Sequence, residues 1–430
     1  MSASERVIVV GGGLAGITAA LDCADAGAEV TLVEVRRRLG GAAYSFQREG
    51  LEMDNGQHVF LRCCLAYRAL LARLGSDHLV EVQPRLRIPV LKPGAPPYVL
   101  RRSSLPAPLQ LAGALAHYPH LSPLQRLAAT RATLALMLAG RFARFGAEER
   151  LDRLTLGQWL ERHGQGEQAL AALWDLIALP TLNVPAAEAS LALGALVFRR
   201  GLLEQTGAGD IGFHRGTLSD IIAAPAARAL RAAGVRVRLG WRAERVLRTA
   251  QGFELQGGGH GREEGEDVAL AADAPAADAL SADALIVAVP HTRAAGLLEE
   301  VLGDRARSFA AIGVSPIVNL HVVYDREVCG EPFAAGVGTP VQYLFDRTRA
   351  AGAPAGSQYL AVSLSGAARE MAMSVDALRE LYLPALRELL PRSRKARVES
   401  FLVTREHAAT FRAAPGVGVL RPAAQSALRG

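Results

Sequence analysis

The chain has 430 residues, half of them apolar and 21% charged, with a net charge of +6. A single hydrophobic core stops growing at roughly 250–300 residues, so this length predicts two domains, and the apolar content excludes a disordered chain. The basic balance suits a phosphate-bearing ligand or an anionic membrane surface; without an aromatic RNA-binding motif, zinc-finger spacing or a long Lys/Arg run, no nucleic-acid partner is expected.

Residues 6–11, RVIVVG, predict a short buried strand, 12–27 a helix closed by Gly27, and 29–34, EVTLVE, a second buried strand. That order, with strands apolar throughout, predicts a parallel sheet covered on both faces. Residues 84–108, rich in proline and arginine, predict an irregular or hairpin-like stretch, and about 109–200 carry helical Leu/Ala faces. A strand is expected at 235–240, a solvent-exposed loop or hairpin tip at 254–281, and a buried strand, ALIVAVP, at 284–290. Residues 315–325 and 358–366 predict strands of a second sheet, and 373–390 a helix bent at Pro384. There is no internal repeat.

Gly11, Gly13 and Gly16 form G-x-G-x-x-G directly after the first strand and at the mouth of the first helix. Gly11 allows the tight turn, Gly13 lets a pyrophosphate approach the backbone, and Gly16 lets helix and strand pack closely. The first helical turn, at Leu14 and Ala15, offers unpaired N–H groups and a partial positive charge to the anion. Glu34 closes the next strand, where an acidic side chain accepts hydrogen bonds from an adenosine ribose. These residues alone leave FAD and NAD both open.

The continuation VEVRRRLGGAAYSF sets Arg38, Gly40 and Gly41 after Glu34. This E-x-x-x-R-x-G-G arrangement resembles the flavin-binding extension of the amine oxidase and phytoene desaturase superfamily. The resemblance implies FAD, with Arg38 at the phosphates and Gly40–Gly41 beside the flavin. Ala42 stands where that superfamily often has an arginine; Arg36 and Arg37 are candidates to compensate, against the alternative of a solvated arginine face.

The stretch LEMDNGQHVF, 51–60, follows. With WDLIALPTLNVPAAEASLALGALVF (174–198), SPIVNLHVVYDR (315–326), PVQYLFDRT (340–348), QYLAVSLS (358–365) and VTREHAATFRAAPG (403–416), it resembles the hydroxysqualene dehydroxylases, also called squalene-associated FAD-dependent desaturases. That resemblance implies removal of the hydroxyl of hydroxysqualene to give squalene, in bacterial squalene and hopanoid synthesis. His58 and Asp54 are then the candidate proton donors, because histidine titrates near neutral pH and a buried carboxyl can keep its proton. Asn55 and Gln57 are expected to hydrogen-bond the hydroxyl or the flavin edge, and Gly56 to permit close backbone approach; a purely structural loop is the alternative. Within enzymes the runner-up is a carotenoid-type desaturase or an amine oxidase, and outside them a non-catalytic chain of flavoprotein type.

The resemblance implies that residues 235–246 run past the adenine, with Ala243 at the matching position and an ordinary strand–turn as the alternative; Val289 and Pro290 are expected at the cofactor crevice, where ligands sit outside the carboxyl ends of parallel strands. Trp174, Asp175, Thr181, Asn183, Tyr343 and Phe345 fall in family-like segments, with core packing as the alternative to shielding a carbocation. Residues 105–145, with Arg126, Arg131, Arg141 and Arg144, suggest a basic amphipathic face that rests on lipid, or a plain surface helix. Cys23, Cys63, Cys64 and Cys329 lack C-x-x-C spacing, which predicts neither a disulfide framework nor a metal site and suits a reducing cytoplasm. No secretory leader and no membrane span of about 20 apolar residues is predicted, so the expected location is cytoplasmic, possible contact with the membrane's inner face included.

The expected fold class is α/β: a Rossmann-type FAD-binding domain from 1–75, 218–292 and 401–430, and an α+β substrate domain from 76–217 and 293–400. The resemblance further implies that the superfamily's last strand and flavin-facing helix lie beyond the end of this sequence. Hydroxysqualene, a membrane surface and other squalene-pathway enzymes are the expected partners.

Overall fold

The computed structural model describes residues 5–142, 148–259 and 278–422. Four parallel strands run in the order Arg236–Leu239, Glu29–Glu34, Arg6–Val10 and Ala284–Val287. Side chains alternate between the two faces of a strand. Val7 and Val9 pack with the helices Leu14–Asp25 and Ala224–Ala232; Ile8 and Val10 pack with Trp241, Val246, Phe253 and Leu255. The parallel sheet is thus covered on both faces, as its unbroken apolar strands predict.

The second cover is an antiparallel sheet of Trp241–Thr249, Gly252–Gly259 and Asp278–Ala282. Residues expected as an exposed loop are therefore partly strand. Phe253 and Leu255 bury one face, a period-two signal shortened by the three glycines that follow Gln256. Residues 260–277 lie outside the described residues. The strand expected over 284–290 ends at Val287.

The second large sheet has seven strands, ordered Val398–Phe411, Val314–Tyr324, Gln358–Ser365, Tyr343–Asp346, Phe333–Gly336, Arg87–Leu91 and Tyr98–Arg101. Neighbours are antiparallel except Phe333–Gly336 with Arg87–Leu91. The proline-rich stretch 84–108 supplies the hairpin at one edge. Residues 401–411, grouped with the FAD-binding part in the sequence reading, are hydrogen-bonded into the opposite edge of this sheet instead.

One face of this sheet lies under the helix Val375–Leu389, which contains Pro384 and packs Leu378, Tyr382 and Leu386 with Leu320, Val322 and Leu360. The other face is shared. The hairpin Ser45–Arg48/Leu51–Asp54 sets Leu51 and Met53 among Val323, Tyr359 and Ala361. Helices between 109 and 203 set Leu156, Trp174 and Phe198 in a cluster with Phe333 and Phe345. Residues 55–58 leave the hairpin between the loop after Gly41, met at Ala42, and the sheet face, met at Asn319 and Thr404.

Candidate active site

The cradle has the geometry its spacing predicts. Gly11 has φ +109°, and a Cβ on Gly16 would sit 1.8 Å from the Gly11 carbonyl oxygen. Gly13 is different. A Cβ there would meet only Gly41 Cα, at 3.8 Å, so its open side faces the gap a ligand would fill. Gly13 caps the 12-residue helix without any side-chain cap, and no acidic residue occupies the first turn. Ala15 of that turn is exposed. Backbone N–H groups and the helix dipole therefore remain available to an anion.

Glu34 is buried and held in place: Gly12 N donates to Oε2 at 2.6 Å and Arg36 N to Oε1 at 2.8 Å. Each carboxylate oxygen has two lone pairs, so a ribose hydroxyl can still be accepted. Arg38 donates to the Gly41 carbonyl at 3.0 Å and lies 3.7 Å from the centroid of the Tyr44 ring, shaping the flavin-side loop. Val289 flanks the Gly11 turn, and Pro290 is exposed just beyond it at the start of the helix His291–Leu297. Ala243 lies at a register shift of the strand Trp241–Thr249, packed against the cluster under the parallel sheet. An open glycine wall, an uncapped helix and a fixed acidic residue fit a dinucleotide such as FAD.

Asp54 has its carboxylate oxygens taken up by protein partners. Its Oδ1 accepts from Ser45 Oγ at 2.7 Å and Leu218 N at 2.9 Å, and its Oδ2 accepts from Arg347 Nη2 at 2.7 Å. Arg347 also donates to the carbonyls of His214 and Gly216. Both side chains are withdrawn from solvent, 4% exposed for Asp54 and 12% for Arg347. The carboxylate is thus a positioning group that anchors the turn.

Asn55 is tied on every side. Its Nδ2 donates to Ala42 O and Glu406 Oε1, both at 2.9 Å, and its Oδ1 accepts from Tyr44 N at 3.3 Å. The Asn55 carbonyl accepts from Asn319 Nδ2 and Thr404 Oγ1. A Cβ placed on Gly56 would stand 3.4 Å from Asn319 Nδ2 and 3.7 Å from His58 Nε2, so these protein neighbours do not demand a glycine. The Gln57 amide nitrogen is buried and has no hydrogen-bond partner among the described residues, as is true of the Asn319 Oδ1. Such groups are costly to leave unpaired, so both mark unsatisfied polar positions beside the turn.

His58 follows on the same turn. Its backbone carbonyl lies 2.6 Å from His214 Nδ1, and its ring nitrogens have no hydrogen-bond partner among the described residues. The ring has open surface, yet burial is the main cause lowering its pKa below the ordinary histidine value. The Asp54 and Glu406 carboxylates oppose that shift, and Arg347 adds to it. Behind it His214 meets the Tyr67 hydroxyl at 2.7 Å, and burial takes His214 down to about 4. His321 is sandwiched between Tyr359 OH at 2.6 Å and Thr404 Oγ1 at 3.0 Å, and burial likewise takes it to about 4.

The remaining candidates divide. Trp174 is core, with Nε1 donating to Gln165, and Asp175 accepts from Ala186 N while burial raises its pKa. Thr181 bonds back to the Ile177 carbonyl. Asn183 ends its helix in the left-handed conformation, donates to Ser315 O and Thr410 Oγ1, and fastens the helical layer to the sheet. Tyr343 is half-buried, stacks with Phe345 and donates to the Leu176 carbonyl; Phe345 continues to Phe333 and Phe213 as an aromatic row. Sequence reasoning did not single out Arg347, Glu406, Thr404, Asn319 or His321, although each lies inside one of the family-like strings.

The family described as flavin containing amine oxidoreductase matches residues 14–430. A probable zeta-carotene desaturase of Synechococcus elongatus is 24% identical across 97% of this chain and 90% of its own length. A hydroxysqualene dehydroxylase of Zymomonas mobilis is 27% identical, over 46% of this chain and 44% of its own length. The crystal structure of an oxidoreductase from Methanosarcina mazei superposes with a TM-score of 0.67 at 16% identity, covering 98% of this chain and 92% of that one. A family match across nearly the whole chain, on a fold shared with a solved oxidoreductase and around an open dinucleotide cradle, makes this chain an FAD-dependent oxidoreductase that belongs to the flavin containing amine oxidoreductase family.

Proposed function

We propose that the chain removes the hydroxyl of hydroxysqualene reductively, giving squalene. The observation that carries this reading is His58: an imidazole without a protein hydrogen-bond partner among the described residues, on a turn fixed by Asp54 and Asn55 beside the cradle. Net chemistry is R–OH plus a proton plus a hydride, giving R–H and water. Bound FAD, once reduced, supplies the hydride equivalent. His58 supplies the proton to the departing hydroxyl, and its lowered pKa makes the imidazolium the stronger acid. The unpaired Gln57 amide orients the hydroxyl or the flavin edge, and half-buried Tyr343 and Phe213, at the two ends of a row through buried Phe345 and Phe333, give apolar surface suited to a hydrocarbon. The similarity to the Zymomonas mobilis enzyme supports the substrate class.

The test is anaerobic turnover of hydroxysqualene by the reduced holoenzyme, with squalene as the expected product. If His58 is the donor, kcat/KM falls as pH rises, with its limb below the ordinary histidine pKa of about 6.5. A His58→Asn variant that keeps FAD and full turnover removes His58 from the mechanism. The long match to the Synechococcus elongatus protein favours a second reading, desaturation of a carotenoid-type polyene. Formation of a conjugated polyene, with no squalene from hydroxysqualene, would establish that reading and overturn the first.

A further inference from the structure

The helix Pro123–Phe142 is apolar on two opposite sides. Ala129, Ala132 and Leu136 are fully buried on the inner side. Leu124, Leu127, Leu134 and Leu138 are exposed to 80%, 51%, 46% and 49%. At 100° per residue these four leucines, with exposed Arg131 among them, form a single stripe opposite the buried one. An ordinary surface helix carries polar residues there. Among the described residues no helix is long and apolar enough to cross a membrane, so this stripe is not part of a span.

Charge identifies what covers it. Between Glu81 and Glu148 the sequence has no aspartate or glutamate, yet it has nine arginines and lysines, of which Arg87 and Arg102 are paired with Glu331 and Asp210. Arg126 and Arg131 lie on the helix itself; the side chains of Arg141 and Arg144 lie outside the described residues. A second copy of the chain would bring Arg131 and its neighbours against like charges. An anionic lipid surface instead takes the leucines into its acyl boundary and the arginines among its head groups. We infer that the outer face of this helix docks the protein on an anionic membrane surface. The inference rests on the helix alone and is independent of which substrate the active site takes.

The experiment is co-sedimentation of the full-length, FAD-loaded protein with vesicles of phosphatidylglycerol and phosphatidylcholine, and with phosphatidylcholine alone. Binding to the anionic vesicles, weakened by salt, is the expected result. Arg131→Gln should weaken it about fivefold, from the roughly 1 kcal/mol that one basic residue contributes near such a surface. Leu124→Ser/Leu127→Ser should weaken it at least about tenfold, with the unfolding midpoint unchanged because both side chains are already in solvent. No sedimentation with either vesicle, equal sedimentation with both, or a concentration-dependent dimer abolished by the leucine variants would each overturn the inference.

Discussion

Replacing Arg347 with alanine should be among the most damaging single changes near the active site. The guanidinium makes three hydrogen bonds: to Asp54 Oδ2 at 2.7 Å, His214 O at 2.7 Å and Gly216 O at 2.9 Å. Asp54 is 4% exposed, so water cannot replace the lost partner. Breaking a buried pair by removing one member costs about 3–5 kcal/mol, because a charge is left unpaired in a poorly solvated place. The exposed Arg392–Glu327 pair, with side chains 68% and 62% exposed, is the internal control: such pairs contribute about 0–1 kcal/mol. Asp54→Asn keeps an oxygen for Ser45 and Leu218 and loses only the charge-assisted contact, for a cost of about 1.5–3 kcal/mol. Urea unfolding of the FAD-loaded protein, followed by far-UV dichroism and flavin fluorescence, measures all three. If Arg347→Ala costs no more than Arg392→Ala, the pair does not anchor this turn. If Asp54→Asn abolishes turnover at unchanged stability, Asp54 has returned as the proton donor and the positioning role assigned here is wrong.

Two further predictions separate ligand contacts from packing and test the buried histidines. Gly13→Ala should fold normally, since its Cβ stands 3.8 Å from Gly41 Cα with extended backbone, but should bind FAD at least about tenfold more weakly because the methyl enters the open cradle. Gly16→Ala puts a Cβ 1.8 Å from a carbonyl oxygen and should lower stability itself; wild-type FAD affinity in Gly13→Ala would show that the pyrophosphate lies elsewhere. His214 and His321 are held neutral, each near 4 against 6.5 in the unfolded chain. The unfolded chain takes up protons first, so their stabilisation is complete above pH 6.5 and is lost as pH falls toward 4, on the order of 3 kcal/mol for each. A urea midpoint that is flat between pH 7 and 4.5 would contradict this.

The sequence made one part of this molecule legible and hid another for a definite reason. The cradle is local: Gly11, Gly13, Gly16 and Glu34 lie in the turn after the first strand, the helix that follows and the next strand, so spacing alone placed them. The groups that fix the turn 54–58 are distant in the chain: Arg347 is 293 residues from Asp54, and Glu406 is 351 from Asn55. Nothing local distinguishes Arg347 from the many solvated arginines. Only the register of the seven-stranded sheet brings it, Thr404 and Glu406 to one face. The same gap explains Asp54, since nothing near it in the chain announces that Arg347 will bind its carboxylate. It also explains the strand Val398–Phe411, whose pairing with Val314–Tyr324 no local pattern announces. His58 remained legible because its role depends on what it lacks. Its neighbours on the turn are each bonded to protein or buried, and the imidazole alone combines open surface with no hydrogen-bond partner among the described residues. A turn built that way holds one titratable group still while leaving it free to meet a ligand, and proton transfer to a departing hydroxyl requires that combination.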